Sequence, residues 1–566
     1  MEIEVIQSLL FVLVAALFGG LVVRALRLPP LVGYIAAGIV GGALFPGKIG
    51  KVEELAELGI ILLLFSVGLE VSLSKLTRVG KVVIAGAVFQ IILVMAVSFA
   101  VLRLFGFDPT AAVVLAAGFS LSSTAVVVKI LSDRGETDTI HGEIMIGWLL
   151  VQDLAVIPMA VLLPSLASAS GQGVALMAGR SLVSAAIVII GIFFVGRLIA
   201  PYVIHKIAAT NSRELLVLSG VSLALGVAGF VSFFGISPAL GAFLAGVVTS
   251  ESQENHAVFA ETRPLRDLFV ILFFVSLGFL VTPAVILSNF LLIIGLAALV
   301  MITKAIIIFI VLLLFGYHGK TNVATSIGLA QVGEFSFVLF LGARQLGILS
   351  QDISSIGIAV TLSTLVMTPI LFKSIVPIWR RARDFSSRWP RLNKLFLGWR
   401  KSTRVGEKFE NHIIICGYGR MGKWIGQALR SKKYPFVVID YNQKVVHGLK
   451  NEGTPVVYGD PAEPQVLEQA GIRQAKAIVL ALPDRITQEE LISYAQTTAP
   501  NVKIIARAHL DGDWEKLSAM KVKKVVQPEF EGALIIIKDL LDSMGRSKEE
   551  ISDLTKSLRR SHSLAK

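Results

Sequence analysis

Long apolar runs fill the chain up to about residue 378, separated by turn residues or charges. A bilayer core takes about 20 helical residues to cross, and by that measure thirteen runs are candidates. They are 6–26, 31–45, 55–72, 82–104, 110–131, 143–164, 181–204, 213–235, 237–249, 265–281, 286–315, 322–342 and 353–378. The second and ninth are short and open on proline, so they are read as tilted or incomplete spans. From about residue 411 the pattern changes to short β-type runs alternating with amphipathic stretches. An α-helical membrane half therefore precedes a soluble α/β half.

Basic residues give the orientation. Arg24 and Arg27, Lys75 with Arg78 and Lys81, Lys129 with Arg134, His205 with Lys206, and Lys320 occupy alternate loops, whereas 106–109, 167–173 and 282–284 carry no Lys or Arg. The positive-inside rule then places the N-terminus outside and the C-terminal half in the cytoplasm. An odd number of crossings requires the same. The first apolar run lacks a basic leader and a small-residue cleavage motif, so no removable targeting peptide is expected.

A repeat recurs at an offset of about 208 to 211 residues. LPPLVGYIAAGIV from Leu28 matches ISPALGAFLAGVV from Ile236, pairing Gly33 with Gly241 and Gly38 with Gly246. ILLLFSVGLEV from Ile61 matches ILFFVSLGFLV from Ile271, pairing Ser66 with Ser276 and Gly68 with Gly278. The copies enter the membrane in opposite directions, the inverted repeat common among secondary transporters.

Ionisable groups inside a bilayer are costly and are functional candidates by default. Asp153, in GWLLVQDLAVIPM, lies at a depth of roughly 15 Å from the cytoplasmic start of the sixth run, at 1.5 Å per residue. Lys304, in ALVMITKAIIIF, lies at a similar depth in the eleventh, which predicts that the two charges pair. The fifth run clusters Ser120, Ser122, Ser123 and Thr124, and its repeat partner, the twelfth, carries Gln331, Gly333 and Glu334 at the aligned place. Residues that compete for backbone hydrogen bonds at matching positions predict two broken helices presenting their ends to an ion. For Glu334 two readings stand side by side, an ion-site group or a neutral or paired residue of the bundle. A buried carboxylate such as Asp153, balanced between desolvation and nearby cations, suits the exchange of one proton for one cation.

Composition agrees with this division. Of 566 residues, 54% are hydrophobic and only 16% charged, so most of the chain belongs in lipid. The single cysteine, Cys416, excludes an intramolecular disulfide or a cysteine-based metal cluster. The net charge of +13 is concentrated partly in WRRARDFSSRWPRLNKLFLGWRKSTR, where Trp379, Trp389, Phe396 and Trp399 interleave with cations. Beside a membrane helix that mixture suits anionic headgroups better than nucleic acid.

NHIIICGYGRMG reads as a buried strand running into G-x-G-x-x-G, with Gly417, Tyr418, Gly419, Arg420, Met421 and Gly422 forming the turn and helix start. Asp440 ends the next strand, FVVID, and Asp460 follows the third. Such glycines let a pyrophosphate approach a helix N-terminus, while the acid accepts from a ribose. The expected divisions are a transmembrane unit at 1–378, a basic amphipathic linker at 379–410, a doubly wound domain at 411–530 and a charged tail at 531–566.

Taken together, LPPLVGYIAAGIV, SSTAVV, VQDLAVIP with Gln152 and Asp153, QVGEF from Gln331, CGYGRMG and the YGD at 458–460 resemble the monovalent cation:proton antiporter-2 family. Within it, the pattern is similar to Kef-type potassium/proton antiporters with an RCK nucleotide domain. The resemblance implies a homodimer in the cell's inner membrane that works by alternating access. It also implies potassium or sodium and protons as substrates, with AMP or NAD(H) as a regulatory adenine nucleotide. Having Gln152-Asp153 where electrogenic relatives have two aspartates implies electroneutral exchange. The acidic loop SESQENHAVFAETR departs from the Kef pattern after Ala257, which leaves glutathione gating, like an ancillary subunit, without support. Two other classes are disfavoured. A gated channel lacks its filter here, and a tethered dehydrogenase lacks a substrate domain.

Overall fold

The computed structural model describes the chain apart from residues 1, 27, 45–49, 71–79, 138, 168–173, 211, 235–236, 388–409, 483, 509–510, 521 and 565–566. It divides into two compact units, a helical one and a C-terminal α/β one. Most of the linker proposed for 379–410 lies outside the described residues.

The helical unit begins with α1 (Glu2–Ala25), α2 (Pro30–Leu44), α3 (Gly50–Glu70), α4 (Lys81–Leu104), α5 (Pro109–Ser120), α6 (Thr124–Asp133), α7 (Ile140–Ala167) and α8 (Val174–Ala208). It continues with α9 (Arg213–Ser232), α10 (Pro238–Thr249), α11 (Asn255–Phe279), α12 (Pro283–Ser288), α13 (Phe290–Leu314), α14 (Gly319–Gly328), α15 (Phe335–Gln345) and α16 (Gln351–Ser387). Among the described residues, eight helical stretches are long and apolar enough to cross a membrane, and shorter apolar helices at Pro30–Leu44, Glu57–Leu69 and Pro238–Thr249 accompany them. The outward faces are apolar as well: Phe194 and Leu198 of α8 and Leu291 and Leu314 of α13 are all exposed. Water would penalise such surfaces, and lipid does not.

Two expectations need adjustment. The last apolar run does not end at 378, because α16 continues to Ser387 and buries Trp379 edge-on against His318 at 5.7 Å. The eleventh is divided near its start, where α12 gives way to α13 at Asn289.

Glycines set how closely the repeated helices pack. A Cβ built on Gly38 of α2 would lie 2.1 Å from the Val275 carbonyl oxygen of α11, and one on Gly278 lies 2.2 Å from that of Ile35. In the other copy, a Cβ on Gly246 of α10 would lie 2.1 Å from the Phe65 oxygen of α3, and one on Gly68 lies 2.3 Å from that of Phe243. The repeat matches Gly38 with Gly246 and Gly68 with Gly278, while the contacts pair them crosswise. A two-fold relation between the copies exchanges one contact for the other.

The C-terminal unit is a six-stranded parallel sheet in the order β3-β2-β1-β4-β5-β6. Its strands are β1 (Ile413–Cys416), β2 (Phe436–Asp440), β3 (Val456–Tyr458), β4 (Ala477–Leu480), β5 (Lys503–Arg507) and β6 (Lys524–Val526). Between them lie α17 (Arg420–Ser431), α18 (Gln443–Asn451), α19 (Pro464–Gln469), α20 (Arg485–Thr498) and α21 (Asp511–Ala519). Ile414, Cys416, Val437, Ile439, Ile478 and Leu480 fill the core between sheet and helices, the all-apolar strand composition of a sheet covered on both faces. The tail expected from 531 is ordered helix: α22 (Pro528–Ser543) spans the proposed boundary at 530, and α23 (Lys548–Leu564) follows. Arg559 holds them together, donating to both carboxylate oxygens of Glu531 at 2.6 Å, and His562 stacks on Phe530 at 4.0 Å.

Candidate functional site

In the helical unit, α5 ends at Ser120 and α6 begins at Thr124, leaving Leu121–Ser123 outside any helix; α14 ends at Gly328 and α15 begins at Phe335, leaving 329–334 likewise. At the first, the serine hydroxyls offer the backbone alternatives to helix, and at the second Gly333 weakens the helix through its backbone freedom. The two interruptions meet. The Gly333 amide donates to the Leu121 carbonyl at 3.2 Å and the Ser122 hydroxyl to the Leu329 carbonyl at 2.9 Å. A Cβ on Gly333 would sit 2.5 Å from the Ser122 carbonyl, so only glycine permits this approach. Phe119 of α5 and Phe340 of α15 pack edge to face at 6.0 Å beside the junction.

Each interruption exposes the negative carbonyl end of one helix and the positive amide end of another. Lys304, fully buried, reaches from α13 to the carbonyl ends, donating to Leu121 O at 2.6 Å, Gln331 O at 2.7 Å and Ser122 Oγ at 3.0 Å. That uses the three N–H donors of an ammonium. The expected Lys304–Asp153 pairing is therefore replaced, because carbonyls left by both breaks take the lysine. At the amide end of α6, the Glu334 carboxylate lies beside the Ser123 hydroxyl and the Ala125 amide. The Thr124 hydroxyl donates to Asp153 at 2.9 and 3.1 Å. Asp153 is buried, with 6% exposure, beside half-buried Thr124 and exposed Ala125. Both polar side-chain atoms of Gln331, and Glu334 Oε2, are buried without a protein hydrogen-bond partner among the described residues. Polar atoms so placed are suited to an ion or water.

In the C-terminal unit, the Gly417–Gly422 turn joins β1 to α17 where the strand order reverses, the usual ligand position in such sheets. Gly417 takes φ +90°, and a Cβ on Gly422 would lie 2.1 Å from the Gly417 oxygen, so both glycines are needed to build the turn. Gly419 is exposed with no atom within 4 Å of an added Cβ, which leaves room over the N-terminus of α17. Arg420 is exposed there, whereas Tyr418 turns inward against Gly426 and gives its amide to Asp440. Asp440 accepts from Tyr418 N and Asn442 N, each at 2.7 Å, so it braces the turn from β2. Burial pushes its carboxyl above the usual range, opposed by those amides and by Lys423. Asp460 is buried and caps its own loop, accepting from Ala462 N at 3.0 Å.

Residues 12–376 match the family "sodium/hydrogen exchanger, transmembrane" and 413–528 match the TrkA-N domain. YbaL of Escherichia coli (strain K12), whose name describes cation/proton antiport, is 33% identical over 94% of this chain and 96% of its own. The chain belongs to the sodium/hydrogen exchanger family. K(+) efflux antiporter 2, chloroplastic, of Arabidopsis thaliana is also 33% identical, over 85% of this chain and 41% of the plant protein. The sodium proton antiporter MjNhaP1 of Methanocaldococcus jannaschii shares the helical fold at a TM-score of 0.53, with 14% identity over 66% of this chain and 99% of its own. The exchanger is thus a multi-pass membrane cation/proton antiporter with a C-terminal TrkA-N domain.

One residue of the exchanger's crossing escaped the sequence reading. Gln90, fully buried in α4, donates to the Ser120 carbonyl at 3.0 Å and accepts from Gln152 Nε2 at 2.6 Å, while Gln152 Oε1 accepts from the Ser122 amide at 2.8 Å. Its signal was a lone amide within the apolar stretch AVFQIILVM. Lys304 makes a direct prediction. Lys304→Met leaves the Leu121 and Gln331 carbonyls buried without their charged donor, a loss of about 1–3 kcal/mol for each unsatisfied group. Thermal unfolding of purified protein in detergent is expected to shift clearly downward, and an unchanged midpoint would show that the lysine does not hold the breaks together.

Proposed function

We propose that the exchanger trades potassium or sodium for protons one for one, running as potassium efflux, with Asp153 as the group that holds either the cation or the proton. The observation that carries this reading is the position of Asp153, a buried carboxylate bonded to the Thr124 hydroxyl beside two helix interruptions, with Lys304 on their carbonyls and Glu334 at the amide end of α6. Gln152, Ser122, Ser123, Thr124 and Gln331 supply the surrounding oxygens and amides, and a carboxylate with neutral oxygen ligands suits a hard monovalent cation. The names of the Arabidopsis relatives favour potassium.

In this reading the unit crosses the membrane thirteen times, built on the inverted repeat and two broken crossing helices. Its N-terminus is outside and its C-terminal domain in the cytoplasm, in the cell's inner membrane. Alternating access moves the crossing relative to the glycine-packed helices α2, α3, α10 and α11. A homodimer is supported by the exposed apolar residues Ile536 and Leu540 of α22 and Met544 just after it, exposed at 69%, 56% and 66%, which a second copy would cover. The space over Gly419 receives the phosphates of AMP or NAD(H), which regulates transport by favouring one conformation of the domain over another.

Asp153→Asn keeps the side-chain volume but cannot exchange a proton for a cation. In proteoliposomes, potassium-driven and sodium-driven proton flux are expected to fall to background while the protein stays folded by gel filtration, and wild-type flux from the folded variant would refute the assignment. For the nucleotide, Gly419→Ala fits the empty turn without displacing any atom yet narrows the approach of a pyrophosphate. Full-length protein should unfold at a higher temperature with AMP or NADH, and the concentration giving half that shift is expected to rise about tenfold in Gly419→Ala. Equal shifts in both proteins would place the ligand elsewhere.

A further inference from the structure

We infer that Gln90 is a positioning residue of the ion site: through Gln152 it ties Ser122, inside the first helix interruption, to Ser120, where α5 ends, and so sets the affinity for the cation. The inference rests on the reading of Asp153 and Gln152 as the site of exchange.

A primary amide with no hydrogen bonds is unfavourable in an apolar interior, and Gln90 has only apolar chain neighbours in α4. Its partners lie across the helix pair. The Ser122 amide can only donate and the Ser120 carbonyl can only accept, so the direction of every bond between them is determined. Ser122 N–H donates to the Gln152 carbonyl, the Gln152 amide to the Gln90 carbonyl, and the Gln90 amide to the Ser120 carbonyl. Two side chains thus replace the backbone bonds that the interruption removed, and neither amide can turn over without breaking two bonds.

The chain continues into the ion site at both of its later members. Gln152 precedes Asp153 on α7, so fixing the Gln152 amide fixes that turn of the helix beside the Thr124 hydroxyl. Ser122, held by its amide, uses its hydroxyl to donate to Leu329 O and to accept from Lys304, so the same residue links the first interruption to the second. Without Gln90, Gln152 loses its fixed orientation and Ser122 is held by one side chain fewer. Gln90 itself has no contact with the proposed ion position, so its effect falls on the geometry of ligands and not on the exchanged charge.

The test uses the full chain in proteoliposomes, with proton flux measured against potassium and sodium concentration for wild type, Gln90→Leu, Gln90→Glu, Gln152→Leu and the double variant Gln90→Leu/Gln152→Leu. Asp153→Asn is measured alongside. Gln90→Leu is expected to raise the half-saturating cation concentration about tenfold, as loss of a buried hydrogen-bonded amide implies, with the maximal rate within about twofold of wild type. Gln90→Glu, carrying its proton in this fully buried place, keeps an acceptor for Gln152 and offers an O–H to the Ser120 carbonyl in place of the amide, so a smaller rise is expected. The double variant should match Gln152→Leu alone, because Gln90 acts through Gln152. An unchanged half-saturating concentration in folded Gln90→Leu overturns the inference, as do independent, multiplying effects in the double variant. If Gln90→Leu does not fold, an unchanged value in Gln90→Glu does the same. Full flux from Asp153→Asn would instead show that the site reading beneath it is wrong, whatever Gln90 does.

Discussion

A helix that stops inside a bilayer leaves carbonyls at one end and amides at the other with no water to bond them. The centre of this exchanger meets that constraint four times, at Ser120, Thr124, Gly328 and Phe335, and the chemistry of its crossing follows from how those ends are satisfied. Lys304 bridges the carbonyls of both interruptions, Glu334 takes the amide end of α6, and the two glutamines join Ser122 to Ser120. Groups introduced to satisfy a broken backbone also create a polar, charge-balanced site at membrane depth. In the proposed function, Asp153, bonded to the Thr124 hydroxyl, is the carboxylate that responds to an entering ion.

Around this crossing the helices α2, α3, α10 and α11 pack through glycines so closely that backbone touches backbone. Such packing has little freedom to adjust. The crossing, by contrast, is held by a small number of side-chain hydrogen bonds that can be remade in a second arrangement. A rigid frame beside a polar, re-formable centre is what alternating access requires. In the TrkA-N domain, the Gly417–Gly422 turn combines a positive-φ glycine, a helix N-terminus and an acid, Asp440, that accepts from the Tyr418 amide.

Much of this was legible in the chain. Glycines recurring in register at Gly38 and Gly246 revealed the repeat because backbone contact admits no other residue, and the polar clusters at Ser120–Thr124 and Gln331–Glu334 revealed the breaks because they interrupt otherwise apolar runs. The G-x-G-x-x-G turn was readable because strand, helix and acid stood at their required spacing. What the sequence hid was partnership. Equal depth suggested that Lys304 meets Asp153, yet depth says nothing about rotation around a helix, and backbone carbonyls, which have no letter in a sequence, took the lysine. Gln90 was hidden for the same reason, since its partners are two backbone groups and a glutamine 62 residues away. Tyr418, read from its place in the motif as part of the turn, has its side chain packed inward on Gly426. The end of α16 was missed because the apolar run gives way to the basic stretch from Trp379, which the helix continues through to Ser387.

In the proposed function one carboxylate, Asp153, holds a cation or a proton in turn, while the charge of Lys304 stays with the carbonyls of the two breaks. One cation then moves for one proton and no net charge crosses the membrane. The most direct measurement is the rate of potassium-driven proton flux in proteoliposomes with the membrane potential clamped at a series of values at constant ion gradients. The rate should be the same at every potential. A rate that rises or falls steadily with potential would mean that a second charge moves with each cycle, and the single-carboxylate account would be wrong.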